Sequence, residues 1–140
     1  MFVDRSIDPT ADQVRALRDG GPDGPITMVN LLKFRAQARY EDGDEAPCTG
    51  REAYARYKHA FTRTVGEVSQ ARVLYEGPVG QVFIGTPGTA ATDWDDVLIV
   101  RYPSRQHFLA MMADPRYRES LRHRYAGLER TVLLQCASGD

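Results

Sequence analysis

The sequence is poor in the residues that build metal sites and disulfide frameworks. Its 140 residues include only two cysteines, Cys48 and Cys136, and three histidines. Two distant cysteines form neither a disulfide framework nor a metal-binding pair. The histidines have neither HExxH nor HxxxH spacing. We therefore predict no metal site and no cofactor, with haem held by a single axial histidine left as an alternative.

The chain also lacks a charge excess of either sign and a long apolar run. It has 18 Lys and Arg against 19 Asp and Glu, a formal net charge of -1. A dedicated nucleic-acid binder normally carries a strong basic excess, so we predict no nucleic-acid partner. Charged residues interrupt every apolar stretch, so no segment is long enough to span a membrane. Residues 1–10 contain three charges and no apolar signal-peptide core, which predicts a cytoplasmic location.

Hydrophobic residues make up 42% of the chain and charged residues 26%, a composition typical of a soluble globular domain. Thr10 and Gln13 have capping-box spacing and predict a short helix over residues 10–19. The glycines and proline of residues 20–24 end that helix. We therefore divide the chain into an N-terminal helical extension, 1–24, and a domain over 25–140.

Apolar periodicity predicts six elements after residue 24. In chain order they are strand 25–34, a helix from Thr49 to about 68, a broken strand (72–75 and 81–84), strand 94–102, a helical segment after Ser104 that restarts at Pro115, and strand 131–136. The order strand, helix, strand, strand, helix, strand is typical of the ferredoxin-like fold. The predicted class is α+β, with an antiparallel four-stranded sheet and helices on one face.

The first strand indicates that the sheet is covered on both faces. Apolar residues occupy both alternating positions of residues 25–34, including Val29, Leu31 and Leu32. One chain of this length has helices enough for one face only. We therefore predict a homodimer in which two sheets close face to face into a dimeric α/β barrel.

Four segments resemble the domain-of-unknown-function 1330 family, which belongs to the dimeric α/β-barrel superfamily. They are residues 25–34 (PITMVNLLKF), 50–57 (GREAYARY), 94–105 (WDDVLIVRYPSR) and 108–117, with His123 and Arg124 beyond them. The resemblance implies the same ferredoxin-like fold and face-to-face dimer. Many members have an acidic residue where this chain has Arg101. Related families include cofactor-free monooxygenases, haem-binding proteins and small-ring isomerases, so the fold alone does not name a reaction.

Asn30 and Arg124 are the candidate catalytic residues. An amide inside an apolar strand costs about 1–3 kcal/mol if it lacks a partner, so Asn30 either orients a substrate oxygen or bonds to neighbouring backbone. Arg124 lies on the apolar stripe of Tyr117 and Leu121. There its guanidinium clamps a carboxylate, forms an ion pair, or packs its stem and reaches water.

Three aromatic residues are the candidate substrate-binding residues: Tyr54, Tyr57 and Trp94. The alternative for the tyrosines is plain helix core, and for Trp94 a core or dimer-interface anchor. Asp95 and Asp96 follow Trp94, and paired carboxylates can share a proton in acid–base catalysis. Adjacent strand residues point to opposite faces, so we expect these two to be solvated charges at a strand end instead.

These patterns predict a homodimer that binds a small organic molecule in a cavity between sheet and helices. It is either a cofactor-free enzyme acting on a small carbonyl or carboxylate compound, or a non-catalytic ligand-binding or interaction domain. A haem-handling protein is a third alternative. Whether the protein is an enzyme stays open.

Overall fold

The computed structural model describes residues 6–41, 43 and 47–137. The helices and strands are α1 (Ala11–Gly20), β1 (Ile26–Phe34), α2 (Gly50–Ser69), β2 (Arg72–Pro78), β3 (Asp96–Tyr102), α3 (Arg105–Ala113), α4 (Tyr117–Gly127) and β4 (Leu128–Ala137). A short 3₁₀ turn, Ala91–Asp93, precedes β3. The element order agrees with the ferredoxin-like prediction. The boundary between an extension over 1–24 and a domain over 25–140 stays a prediction.

Side-chain caps set the beginnings of the helices. The hydroxyl of Thr10 accepts from the Gln13 backbone N–H at 3.2 Å, and that of Thr49 accepts from the Glu52 N–H at 3.1 Å. Both are reciprocal capping boxes, which satisfy backbone donors that have no partner within the helix. Ser104 caps α3 in the same way, through the N–H of His107. These local bonds explain why the sequence pattern located the helices within a residue or two.

The four strands form one antiparallel sheet in the order β2-β3-β1-β4. This order places the first and third strands at the centre, as in the ferredoxin-like fold, and it confirms the predicted fold class. Alternate residues of the central strands are buried towards the helices, among them Ile26, Met28, Leu32, Leu98 and Val100. The helix pair α2 and α4 packs on this face, and Leu17 of α1 packs against the same core.

The predicted second half of the broken strand, residues 81–84, is wrong. The strand ends at Pro78, and residues 79–95 form a loop of turns and one 3₁₀ turn. Pro78 lies opposite Asp96, the first residue of β3, so no strand remains for residues 81–84 to pair with. The glycines and proline of residues 77–80 favour a bulge or a bent strand, and a register shift occurs earlier, between Val73 and Tyr75.

Among the residues that the structure describes, no helix packs on the second face of the sheet, which is apolar at its centre and carries Lys33, Arg101 and Arg130 towards its ends. Its positions alternate with the buried ones and include Val29, Leu31, Val97, Ile99 and Leu134. We call this surface the open face. Its side chains are partly buried or exposed, and Leu134 is 51% exposed. A single protomer therefore leaves the open face in contact with water.

Candidate functional site

Arg124 places a positive charge at the junction of α4, α2 and the N-terminal segment. Its side chain is partly buried, and its Nη2 donates to the carbonyl oxygen of Ile7 at 2.8 Å. Ile7 is itself a core residue, 6% exposed. Within residues 6–41, 43 and 47–137, Arg124 forms no ion pair with a carboxylate. The carbonyl oxygen of Ile7 is therefore the hydrogen-bond acceptor that the described structure gives to this guanidinium.

Tyrosines from two helices lie close enough to this guanidinium to influence its pKa. The hydroxyl oxygens of Tyr57 on α2 and Tyr117 on α4 are 3.0 Å apart, and the ring centroids of Tyr54 and Tyr57 are 5.1 Å apart. Helical spacing puts Tyr54 and Tyr57 on one face of α2, and the packing of α2 on α4 brings Tyr117 to them. The structure therefore brings three of the predicted residues together: Tyr54, Tyr57 and Arg124.

The ionisation of these groups reflects burial first and their mutual influence second. Burial raises the pKa of Tyr57 well above its usual value of 10.0, and the neighbouring phenols raise it further. Burial also raises the pKa of Tyr54, against the opposing effect of the Arg124 charge. For Arg124, burial lowers the pKa, but the phenols of Tyr57, Tyr117 and Tyr54 outweigh it and leave the pKa raised. At neutral pH the site therefore holds a cation beside the protonated phenols of Tyr54 and Tyr57.

Asn30 lies on the helix-facing side of β1, opposite Leu98 of β3. Its Nδ2 donates to the carbonyl oxygen of Leu98 at 3.0 Å and to that of Met28 at 3.5 Å. Both contacts use the amide N–H groups that an oxyanion would need as donors. The catalytic role of Asn30 stays a prediction.

Trp94 lies at the end of the loop before β3. Its ring is covered by the guanidinium of Arg130, whose carbon is 5.1 Å from the ring centroid. Arg130 also donates to the carbonyl oxygen of Asp93 at 2.6 Å, which fixes the loop beside β4. The indole contact is with a strand residue rather than with the helices that carry Tyr54 and Arg124.

The expectation that Asp95 and Asp96 are solvated charges is wrong. Asp96 is 9% exposed, and its Oδ2 accepts from Arg51 at 2.8 Å. Its other oxygen is buried with no hydrogen-bond partner among the described residues. Asp95 accepts the backbone N–H of Phe34 at 2.8 Å. The alternation along β3 would have predicted the burial of Asp96, because Asp96 lies two residues before Leu98 and four before Val100 and so faces the helices with them.

Two open cavities lie on the outer surface of the described chain. One, of about 400 Å³, lies between α2 and α4 and is lined by Ala55, Arg56, His59, Ala60, Arg63 and His123. The other, of about 530 Å³, is formed by residues 37–40, 43 and 47–48. Neither is lined by Asn30 or Arg124.

Two further observations concern the described residues as a whole. In residues 6–41, 43 and 47–137, no three His, Cys, Asp or Glu side chains converge on a common point that suits a metal ion. Over the same ranges, every helix is too short or too polar to cross a bilayer.

Comparison with known proteins supports the fold and identifies a family. The structure is similar to that of RPA0582, a protein of unknown function from Rhodopseudomonas palustris, with a TM-score of 0.82, 35% identity and coverage of 96% of this chain and 97% of that one. The methylated form of RPA0582 gives a TM-score of 0.78 and 36% identity, covering 96% of this chain and 95% of that one. A protein of unknown function from Thermobifida fusca, described as dimeric and ferredoxin-like, is similar in fold only (TM-score 0.50, 16% identity, 82% of this chain and 92% of that one).

No curated protein matches the sequence. The model of one family, described as a domain of unknown function (DUF1330), matches residues 45–135. This match and the similarity to RPA0582 confirm the resemblance found in the sequence: the chain belongs to the DUF1330 family.

Proposed function

We propose that the protein is a homodimer that binds a small carboxylate-bearing organic molecule at Arg124, with Tyr54, Tyr57 and Tyr117 around it. The observation that carries this proposal is a guanidinium that lies among aromatic side chains and contacts a carbonyl oxygen instead of a carboxylate. A charge removed from water without an ionic partner is costly, so a bound anion would offset that cost.

The chemistry of the surrounding groups suits a carboxylate. A guanidinium presents a planar fork of N–H donors that matches both carboxylate oxygens. The phenol of Tyr57, whose pKa is raised, stays protonated at neutral pH, and its hydroxyl oxygen lies 3.0 Å from that of Tyr117, so one hydroxyl of the bonded pair can donate to the anion. The rings of Tyr54 and Phe61, which pack around Tyr57, suit an apolar remainder of the ligand. Protonated phenols do not act as bases, so the arrangement favours binding over proton abstraction.

The N-terminal segment, residues 6–8, covers the proposed site. The Ser6 carbonyl accepts from Thr131 N–H at 2.8 Å, and the Asp8 carboxylate accepts from the Tyr125 hydroxyl at 2.7 Å. Between these two bonds, the carbonyl oxygen of Ile7 accepts a hydrogen bond from Nη2 of Arg124. A carboxylate would replace that carbonyl oxygen as the acceptor, so ligand binding and the position of residues 6–8 are coupled in this proposal.

The proposed homodimer follows from the open face. Val29, Leu31, Val97 and Ile99 lie at its centre, and a second sheet would remove them from water. The dimeric description of the Thermobifida fusca protein supports the same arrangement.

The test uses benzoate as the probe and benzamide as its uncharged analogue, measured by titration calorimetry. We expect benzoate to bind and benzamide to bind at least about tenfold more weakly. The variant Arg124→Met is expected to weaken benzoate binding by about 100-fold, since it removes charge-assisted bonds of about 1.5–3 kcal/mol each. Arg118→Met removes the same charge from the exposed side of α4 and serves as the matched control. Equal binding of the two probes, or equal effects of the two variants, would exclude Arg124 as the ligand site.

A further inference from the structure

The loop between β2 and β3 displays apolar side chains to water. We call residues 79–90 the tip loop. Phe83 is 86% exposed and Ile84 is 89% exposed, whereas Val82 is 37% exposed. Single exposed apolar residues are ordinary on protein surfaces, but two adjacent large ones at the end of a projecting loop mark a contact surface.

The tip loop has a defined conformation that directs these side chains outward. Its far end is a turn in which the Thr89 N–H donates to the Thr86 carbonyl oxygen at 3.0 Å. Its near end is tied to the strand by the bond from Val79 N–H to the Asp95 carbonyl oxygen, at 2.9 Å. Val82 packs back on Gly85, where an added Cβ would lie 2.7 Å from a Val82 methyl carbon. Phe83 and Ile84 remain as the exposed tip, already ordered before any partner binds.

The charges beside the tip loop do not suit a membrane or a nucleic acid. Residues 77–92 contain no charged side chain, and no Lys or Arg occurs between Arg72 and Arg101. Along the sequence, the nearest charges on either side are Glu76 and Asp93. Lys33 and Arg130 reach the base of the loop from the sheet, but each is paired with a carboxylate there and is not left free for lipid or phosphate. Membrane-inserting and nucleic-acid-binding loops are usually flanked by basic residues, which attract the anionic lipids or phosphates. An uncharged protein surface fits the tip loop better.

The tip loop continues the open face. Tyr75 of β2 lies opposite Ile99 on that face and is 51% exposed, and its neighbour Leu74 is 48% exposed. The chain passes from these residues through Pro78 directly into the tip loop. The exposed apolar surface thus extends from the sheet to the tip without an interruption by charge, apart from Glu76 on the opposite side of the strand.

We infer that the tip loop is an arm of the dimer interface, and that Phe83 and Ile84 pack against a second copy of this chain. The inference rests on the homodimer proposed above and adds to it a specific contact outside the sheet. In a two-fold symmetric dimer the contact occurs twice, once from each protomer, so four such side chains are buried. Large apolar side chains at such positions contribute strongly to association.

The dissociation constant of the dimer, measured by sedimentation over a range of concentrations, tests the inference. The double variant Phe83→Ser, Ile84→Ser is expected to raise that constant by at least about tenfold. Val73→Ser is the matched control, because Val73 is 58% exposed on β2 but lies opposite Val100, on the helix-facing side. Circular dichroism checks that both variants keep the wild-type secondary structure.

The possible results separate the homodimer from the role of the tip loop in it. Wild-type protein that stays monomeric up to about 100 μM would overturn the homodimer, whereas a wild-type dimer unaffected by the double variant would overturn only the role of the arm. Flotation with vesicles of phosphatidylcholine and phosphatidylglycerol, if it depended on Phe83 and Ile84, would assign the tip to a membrane and overturn the inference. As an independent readout, backbone amides of residues 80–86 should exchange hydrogen more slowly in the dimer than in the diluted monomer.

Discussion

Replacing Arg124 by methionine separates a ligand-binding role from a purely structural one. The structural alternative is that Arg124 holds residues 6–8 in place through the carbonyl oxygen of Ile7. Methionine keeps the length of the apolar stem and removes the charge. The two roles therefore predict different effects on the free energy of unfolding and on benzoate binding.

The magnitude follows from two opposing contributions. The charge-assisted bond to Ile7, 2.8 Å long, contributes about 1.5–3 kcal/mol, which the variant loses. The variant also relieves the cost of holding a partly buried charge without a carboxylate partner, a cost of several kcal/mol when burial is complete. These contributions nearly cancel. We expect the free energy of unfolding of Arg124→Met to lie within about 2 kcal/mol of the wild-type value.

Urea denaturation, followed by circular dichroism at one fixed protein concentration, compares this free energy between the variants at equal protomer concentration. Arg118→Met, on the same helix, should change it by less than about 0.5 kcal/mol. A loss of more than about 3 kcal/mol in Arg124→Met, together with unchanged benzoate binding, would refute the ligand role and leave Arg124 as a structural residue.

Three further predictions concern buried tyrosine, buried charge and close backbone packing. Burial raises the pKa of Tyr57 above its unfolded value of 10.0, so the stabilisation is present below pH 10 and is lost as the pH rises towards the folded-state pKa. Urea titrations should therefore show the free energy of unfolding falling above pH 10, less steeply in Tyr57→Phe, and a stability that rises there would contradict the assignment. Arg51→Ala should cost about 2–4 kcal/mol because it leaves the buried Asp96 carboxylate without its partner, and adding Asp96→Leu should recover most of the loss in a double-mutant cycle. Gly50→Ala should lower the melting temperature by at least about 10 °C, because the added Cβ would meet the backbone oxygens of Arg35 and Gly127, the latter at 2.6 Å. Gly20→Ala has open space and should shift the melting temperature by no more than about 2 °C.

Local patterns in the sequence were sufficient to predict the order of helices and strands and the fold class. The capping boxes of Thr10 and Thr49 and the apolar periodicities that follow them depend on residues three or four apart, so each can be recognised without the rest of the chain. The open face could be predicted for the same reason. Side chains alternate between the two faces of a strand, and residues 25–34 have apolar side chains in both sets of positions. Residues 81–84 show the limit of this reasoning, because strand pairing requires a partner that β3 does not extend far enough to supply.

The contacts of the candidate site join residues far apart in the chain. Tyr57 meets Tyr117 across 60 positions, and Arg124 donates to Ile7 across 117. No spacing rule reports such pairs, because they depend on how α2, α4 and the N-terminal segment pack together. The sequence by itself determined the order of the elements and the unpaired apolar face. Only the tertiary structure decided that Arg124 lies near Tyr57 and Tyr117 and that Phe83 and Ile84 project into solvent, because both depend on how distant parts of the chain pack.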